Sequence, residues 1–168
     1  MYEYIIGSGS QDGKILIDTF KNKNKIVKIY RNKISINNKN YKLEKNKKEC
    51  FFLLFKKYKP SKIYYFLTYH VPSSKRINTS SNFDKYLLYN FEIFKNILST
   101  IQKLELSPKI FYSSSCFIFN GYNKIRANEK TIPKPNCEYG ISKYLTMNLI
   151  NYYRKKFNLF IIVGILFN

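Results

Sequence analysis

Apolar residues in this chain change their period several times, and each change marks an element. Tyr2 to Ile6 is a short run of strand formers closed by Gly7-Ser8-Gly9-Ser10-Gln11-Asp12-Gly13, and from Lys14 to Lys21 the apolar positions fall at helical spacing. Ile26 to Tyr30 reads as a second strand, Ile34-Ser35-Ile36 as a short one, and Phe51 to Tyr58 as helical. Lys59-Pro60-Ser61 then breaks the chain before a strand from Ile63 to Leu67, and Ser73 to Asn82 is polar loop. Phe83 to Leu104 carries Leu87, Leu88, Phe91, Phe94, Ile97, Leu98 and Ile101 in the i, i+3, i+4 pattern of a core-facing stripe. After Pro108 come a strand from Lys109 to Tyr112, a loop with Pro133 and Pro135, a helix holding Tyr139 and running to about Phe157, and a buried strand from Leu159 to Leu166. Strands and helices alternate throughout, which predicts an α/β protein with a mostly parallel sheet.

Composition narrows this picture. With 168 residues, 45% of them hydrophobic and 18% aromatic, the chain is globular and one domain by length. Its 30 basic and 10 acidic residues leave a formal charge of +20, with a pI near 9.8. Such a charge can release counterions from a phosphate polymer. Much of the lysine, however, sits in turn-like stretches such as Lys21-Asn22-Lys23-Asn24-Lys25 and Lys45-Asn46-Lys47-Lys48, which read as solvated loops. The element order and the lack of an aromatic platform motif argue the same way, so nucleic acid is not expected as a partner. Neither is a membrane, because the apolar run from Leu159 to Phe167 is less than half of the ~20 residues a spanning helix needs. Met1 leads straight into a strand, with no room for a signal peptide, and Cys50, Cys116 and Cys137 show neither metal-ligand spacing nor a paired framework. A reduced, cytoplasmic setting without a metal is the expectation.

Three stretches can carry chemistry. A glycine turn between strand and helix lets the backbone approach a pyrophosphate while the helix N-terminus offers free N–H groups, and Gly7, Gly9, Ser10, Gln11, Asp12 and Gly13 are the candidates. Arg31 follows roughly twenty residues on, where an acidic residue would take a ribose 2′-hydroxyl and an arginine suits a 2′-phosphate. That favours NADP, with NAD as the alternative. Ser113-Ser114-Ser115-Cys116 stands at the carboxyl end of a strand, where ligands of open α/β sheets gather. Tyr139 and Lys143, four apart, share one face of a helix. A phenol titrates near ~10 and serves as a base only where its anion is favoured, which a lysine held beside it would do. His70, the only histidine, follows a strand end, where it can line a cofactor cleft but reads better as a satisfied loop residue.

With glycine turn, serine strand end and Tyr-x-x-x-Lys in this order, the sequence resembles the extended short-chain dehydrogenase/reductases of the NAD-dependent epimerase/dehydratase family, most closely the GDP-mannose 4,6-dehydratase branch. The resemblance rests on Gln11-Asp12-Gly13, Tyr58-Lys59-Pro60 with Ile63-Tyr64, Glu129 through Tyr139-Gly140, and Asn158-Leu159-Phe160 with Gly164-Ile165-Leu166-Phe167-Asn168. It implies a Rossmann-type doubly wound sheet with helices on both faces, an NADP or NAD cofactor, and a GDP-mannose-like nucleotide sugar as substrate; a homo-oligomer would fit it. Residue by residue it implies Tyr139 as base and acid at the sugar 4-hydroxyl and Lys143 as the group that binds the nicotinamide ribose and favours the phenolate. It also implies Ser115 as the helper hydroxyl and Asn90 as a structural asparagine.

The sequence departs from that pattern in three places. Ser10 replaces the middle glycine of Gly-x-x-Gly-x-x-Gly and sets a Cβ near the pyrophosphate. Phe117 stands where dehydratases carry the glutamate that removes the C5 proton, and a phenyl ring cannot abstract one. The chain stops at Asn168, where members continue into a substrate-binding part, so residues 1–168 read as a cofactor domain incomplete at its C-terminus. Two functions therefore stay open. One is C4 oxidation by hydride transfer with elimination or epimerisation and hydride return; the other is a remnant that binds a dinucleotide without turnover.

Overall fold

The computed structural model describes residues 1–20, 25–31, 33–37, 39–42, 48–69, 82–120 and 126–167. In chain order these form β1 (Tyr2–Ile6), α1 (Gln11–Thr19), β2 (Ile26–Ile29), β3 (Lys33–Ile36), β4 (Lys39–Lys42), α2 (Lys48–Lys57) and β5 (Pro60–Tyr65). There follow α3 (Phe83–Leu87), a π turn (Leu88–Glu92), α4 (Ile93–Lys103), β6 (Lys109–Ser115), a 3-10 turn (Cys116–Phe119), α5 (Glu138–Phe157) and β7 (Ile161–Leu166). One seven-stranded sheet runs in the order β4-β3-β2-β1-β5-β6-β7. Across the sheet from β2 through β1, β5 and β6 to β7 the neighbours are parallel, whereas β3 pairs antiparallel with β2 and β4 antiparallel with β3. The chain moves from β1 out to β2 and later returns to β5 on the other side of β1. A crevice opens beyond the carboxyl ends at such a reversal. Register aligns Ile6 with Ile29 and with Tyr65, which sets Gly7, Tyr30 and Phe66 side by side at that opening.

Both faces of the sheet carry helices, as expected of a doubly wound fold. Tyr4 meets the Phe55 ring of α2 edge-on at 5.0 Å and gives its hydroxyl to Tyr58 O at 2.6 Å, which places α2 against that face. Val27, Ile29, Ile63, Tyr65, Ile110 and Tyr112 join this core with Phe94, Ile97, Leu98 and Ile101 of α4 and Ile150 of α5. On the opposite face Phe20, which follows α1, packs on the Tyr64 ring. At the centre Tyr65 stacks on Tyr112 at 5.6 Å, with Phe94 against both at 4.9 and 4.7 Å. Each buried tyrosine of this trio needs an acceptor. Tyr65 donates to Tyr89 O at 2.5 Å and Tyr112 to Asn90 O at 3.0 Å, both carbonyls of the π turn. Helix α5 is capped by Cys137, whose Sγ accepts Gly140 N–H, and ends at Asn158 in the left-handed region at φ 50°. Among the described residues no helix is long and apolar enough to cross a membrane.

Several boundaries differ from those the pattern predicts. Helix α1 starts at Gln11, so Gln11, Asp12 and Gly13 are helical and the turn proper is Gly7–Ser10. Strand β5 begins at Pro60, whose missing N–H costs little at the first residue of a strand. β6 extends through Ser115, so all three serines lie on the strand. Within the long helix Ile93, Phe94, Ile97, Leu98 and Ile101 are buried, but Leu87, Leu88 and Phe91 are only half-buried. The π turn inserts a residue and rotates the first half, so that Tyr86 and Asn90 face inward instead. β7 is shorter than expected, and it is an edge strand, not a buried one: Ile162 is 50% exposed, as are the flanking Phe160 (57%) and Phe167 (69%). The lysine stretches at 21–24 and 45–47, and most of the polar loop from Ser73, lie outside the described residues.

The tyrosine bonds to the π turn make a direct stability prediction. Tyr65→Phe keeps the ring packing and removes the donor to Tyr89 O, so unfolding in urea should lose ~1–3 kcal/mol at an unchanged slope. An unaltered midpoint would show that this carbonyl needs no partner.

Candidate active site

The turn after β1 is built around two glycines that the fold itself requires. Gly7 sits at φ 93°, and a Cβ there would lie 2.5 Å from Leu67 N, inside the backbone that follows β5. A Cβ on Gly13 would meet Gly7 O at 2.5 Å, so its absence lets α1 close onto the end of β1. Gly9 is different, because a Cβ there would reach only Tyr30 Cδ1 at 3.6 Å, an ordinary contact. Its bareness leaves space above the turn. Gly7 N and Ser8 N both donate to Ile29 O, and the buried Ser8 donates to Ile5 O, which together pin the turn to β2 and β1. Ser10 caps α1 through its hydroxyl, which accepts Gly13 N–H at 3.1 Å. A residue with a side chain is thus used here to satisfy one of the free N–H groups of the first turn, leaving those of Gln11 and Asp12 for a ligand.

Gly7, Gly9, Ser10 and Arg31 line one cavity of about 350 Å³ together with Phe66, Leu67 and Thr68. Gln11, Asp12 and Gly13, named with them from the sequence, lie on α1 and outside its walls. Thr68 also hydrogen-bonds the Tyr139 hydroxyl, so one residue joins the wall of the cavity to the second cluster. Tyr139 is buried on α5 with its ring against Phe117 at 5.6 Å and Tyr86 at 5.7 Å, and its hydroxyl meets both Thr68 and Ser115. Burial holds the phenol above its ordinary value, the Thr68 and Ser115 hydroxyls pull against that, and the Cys116 and Cys137 thiols add to it.

Hydrogen-bond polarity in this cluster is fixed from the backbone outward. Ser142 Oγ donates to Tyr139 O at 2.7 Å, so it can only accept from Asn90 Nδ2 at 2.9 Å. Asn90 therefore turns its Oδ1 to Thr68, whose hydroxyl donates to it at 2.7 Å. Thr68 has one proton to divide between Asn90 and Tyr139, and turned to Tyr139 it supports the phenolate, the direction in which it pulls the phenol. Ser115 Oγ accepts Phe117 N–H at 3.4 Å, which leaves its own proton for the Tyr139 oxygen or for a substrate oxygen that takes its place. The pair thus offers one acceptor and one donor, which suits proton exchange with a substrate hydroxyl.

Lys143 shares the α5 face with Tyr139, as the four-residue spacing predicts, and is anchored by the strand beside it. Its Nζ donates to Ser113 O at 2.9 Å, lies 4.9 Å from the Tyr112 ring centre and 5.8 Å from that of Tyr139. Burial is almost complete, at 1% exposure, and pushes the ammonium down to about 7. The lysine thus stands 5.8 Å from the phenol ring while its hydrogen bond goes to the strand carbonyl.

The sequence thus named three residues that the fold brings together, Tyr139, Lys143 and Ser115, and four that line the adjoining cavity. It missed Thr68, whose only sequence signal is a hydroxyl residue just past a strand end, and the buried Asn90–Ser142 pair. His70 lies outside the described residues. Among the described residues no group of His, Cys, Asp or Glu could hold a metal ion.

The profile of the NAD dependent epimerase/dehydratase family matches residues 4–168. No curated protein matches the chain. Among solved structures, the Campylobacter jejuni GDP-D-glycero-L-gluco-heptose synthase determined with NADPH superposes with a TM-score of 0.79 at 15% identity, over 99% of this chain and 47% of that one. The UDP-glucose 4-epimerase of Brucella ovis in complex with NAD gives 0.76 at 14% identity, over 99% and 52%. A hypothetical dTDP-4-dehydrorhamnose reductase from Sulfolobus tokodaii gives 0.71 at 23%, over 88% and 51%. At these identities the likeness is one of fold, and the chain spans about half the length of each.

Lys143 provides a check on this geometry through pH. Its folded value of about 7 lies below the 10.5 of a free lysine, so between those limits the unfolded chain binds more protons and stability rises with pH. Lys143→Met should therefore raise the melting temperature by ~5 °C near neutral pH, and the gain should shrink as pH rises toward the free-lysine value. A gain that is absent, or constant across that range in thermal melts, would show that burial does not neutralise this lysine.

Proposed function

The chain belongs to the NAD dependent epimerase/dehydratase family, and from that premise we propose that it binds a pyridine dinucleotide, NADP before NAD, for redox chemistry on a nucleotide sugar. The observation that carries this reading is Thr68, which lines the glycine-turn cavity and also bonds Tyr139, so a ligand along the turn would end beside the phenol. The chain's residues fit such a ligand. The bare Cα of Gly9 and the first-turn N–H groups of α1 would receive the pyrophosphate, and Arg31 the 2′-phosphate. When bound, the dinucleotide supplies the hydride acceptor and donor.

Tyr139 Oη would take and return the proton of the sugar 4-hydroxyl, and Ser115 would donate to the same oxygen. Lys143, whose amine and ammonium forms are near balance at neutral pH, would hold the nicotinamide ribose. By its sequence resemblance the reading is of a GDP-mannose 4,6-dehydratase-like enzyme, with a GDP-mannose-like substrate and a cytoplasmic setting. Loss of water from such a sugar also needs a base at C5, and Phe117 packs its ring on Tyr139 where that base would stand. A missing general base costs ~10²–10⁴ in rate, so the redox half outlasts the dehydration.

That same Phe117, with Ser10 consuming Gly13 N–H, favours a second reading, dinucleotide binding without turnover. Thermal shift tests the first step: NADP should raise the melting temperature more than NAD, and Arg31→Ala should erase the difference. No shift with either dinucleotide would overturn the cofactor reading. With GDP-mannose added, reduced nicotinamide that appears in the parent protein and not in Tyr139→Phe supports turnover; its absence in both supports binding alone.

A further inference from the structure

The π turn places the ring of Tyr89 beneath Arg31, whose Cζ lies 5.4 Å from the ring centre. Arg31 itself lines the glycine-turn cavity although its side chain is exposed, a position from which an arginine would ordinarily sample many rotamers. The ring that meets it is held from two sides. Tyr89 stacks on Tyr69 at 6.1 Å with 20° between planes, and its carbonyl accepts Tyr65 O–H at 2.5 Å. Tyr69 is braced in turn by Tyr86 at 5.4 Å. A guanidinium binds an aromatic ring through its face and a phosphate through its edge, so the two contacts are compatible and the first orders the group for the second.

We propose that Tyr89 determines cofactor choice by holding the Arg31 guanidinium at the cavity rim in the posture that receives the 2′-phosphate of NADP. The inference rests on the NADP reading of Arg31 and adds a residue that reading does not contain. Tyr89 is a positioning residue: it acts on the phosphate through Arg31. Its effect falls on NADP alone, because NAD has nothing at the 2′ position for an arginine to neutralise. The aromatic face carries the function and the hydroxyl does not, which separates Tyr89 from a residue that matters only for folding.

Calorimetric titration of the full chain with NADP and with NAD tests this on the parent protein, Tyr89→Leu, Tyr89→Phe, Arg31→Ala and the Arg31→Ala, Tyr89→Leu double variant. Tyr89→Leu should weaken NADP about tenfold and change NAD by less than about twofold, with Tyr89→Phe retaining the parent preference. In the Arg31→Ala background the leucine should add nothing for NADP. The proposal is overturned if Tyr89→Leu leaves the NADP to NAD ratio unchanged, if it weakens both dinucleotides alike, or if its effect persists without Arg31. A parent protein that binds both equally overturns the Arg31 assignment and this proposal with it, and one that binds neither overturns the cofactor reading itself.

Discussion

Two backbone carbonyls of the π turn, those of Tyr89 and Asn90, organise the molecule by what bonds to them. A π turn takes its carbonyls out of the regular helical ladder, and a buried carbonyl without a donor costs ~1–3 kcal/mol. Here three hydroxyls converge on the two: Tyr65 from β5 on Tyr89 O, and Tyr112 from β6 and Thr146 from α5 on Asn90 O. The distances run from 2.5 to 3.0 Å, so these are full hydrogen bonds. Two neighbouring strands and two helices are thereby tied at one point, and removal of any hydroxyl would be felt by the others.

Everything in the site hangs from that knot. Because the turn is fixed, Asn90 can extend its amide between Thr68 and Ser142, and those two set the hydrogen-bond polarity that reaches Tyr139. On the solvent side of the same turn Tyr89 meets Arg31. One irregular turn therefore touches two residues of the cavity wall, Thr68 through Asn90 and Arg31 through Tyr89. Tyr112 also lies below Lys143, whose Nζ finds a ring and a carbonyl there, while burial lowers its affinity for the proton.

What the sequence makes legible is whatever follows from period and spacing. Alternation of strand and helix gave the α/β class with its mostly parallel sheet, and the Tyr139–Lys143 spacing, with Ser115 at a strand end, located the candidate cluster. Ser10 was readable as a departure but not as a cap, since its use depends on where α1 begins, and that is set by the tight approach of Gly13 to Gly7. The π turn left no signal, because a one-residue insertion in a hydrophobic stripe looks like a slightly ragged stripe. Thr68 was equally silent, its role arising from a partner far away in the chain. The β3–β4 hairpin was half seen, through Ile34-Ser35-Ile36, since β4 is a polar edge strand with no apolar alternation. Burial of β7 was misjudged for the opposite reason: apolar composition says that a strand is fit to be covered, and only the sheet order says whether anything covers it.

Among the described residues β7 closes one side of the sheet and carries apolar side chains there. β7 pairs with β6 on one side, and among the described residues nothing lies along the other, while Phe160, Ile162 and Phe167 stand out into water beside it. No charged residue interrupts the run from Ile161 to Leu166, so the usual device against edge-to-edge stacking is missing. The formal charge of +20 supplies it at long range instead. Mutual repulsion reaches ~30 Å in dilute buffer and ~8 Å at physiological ionic strength, so the colloidal behaviour of this chain is set by the salt around it, whereas its folding is set by hydroxyls that salt does not reach.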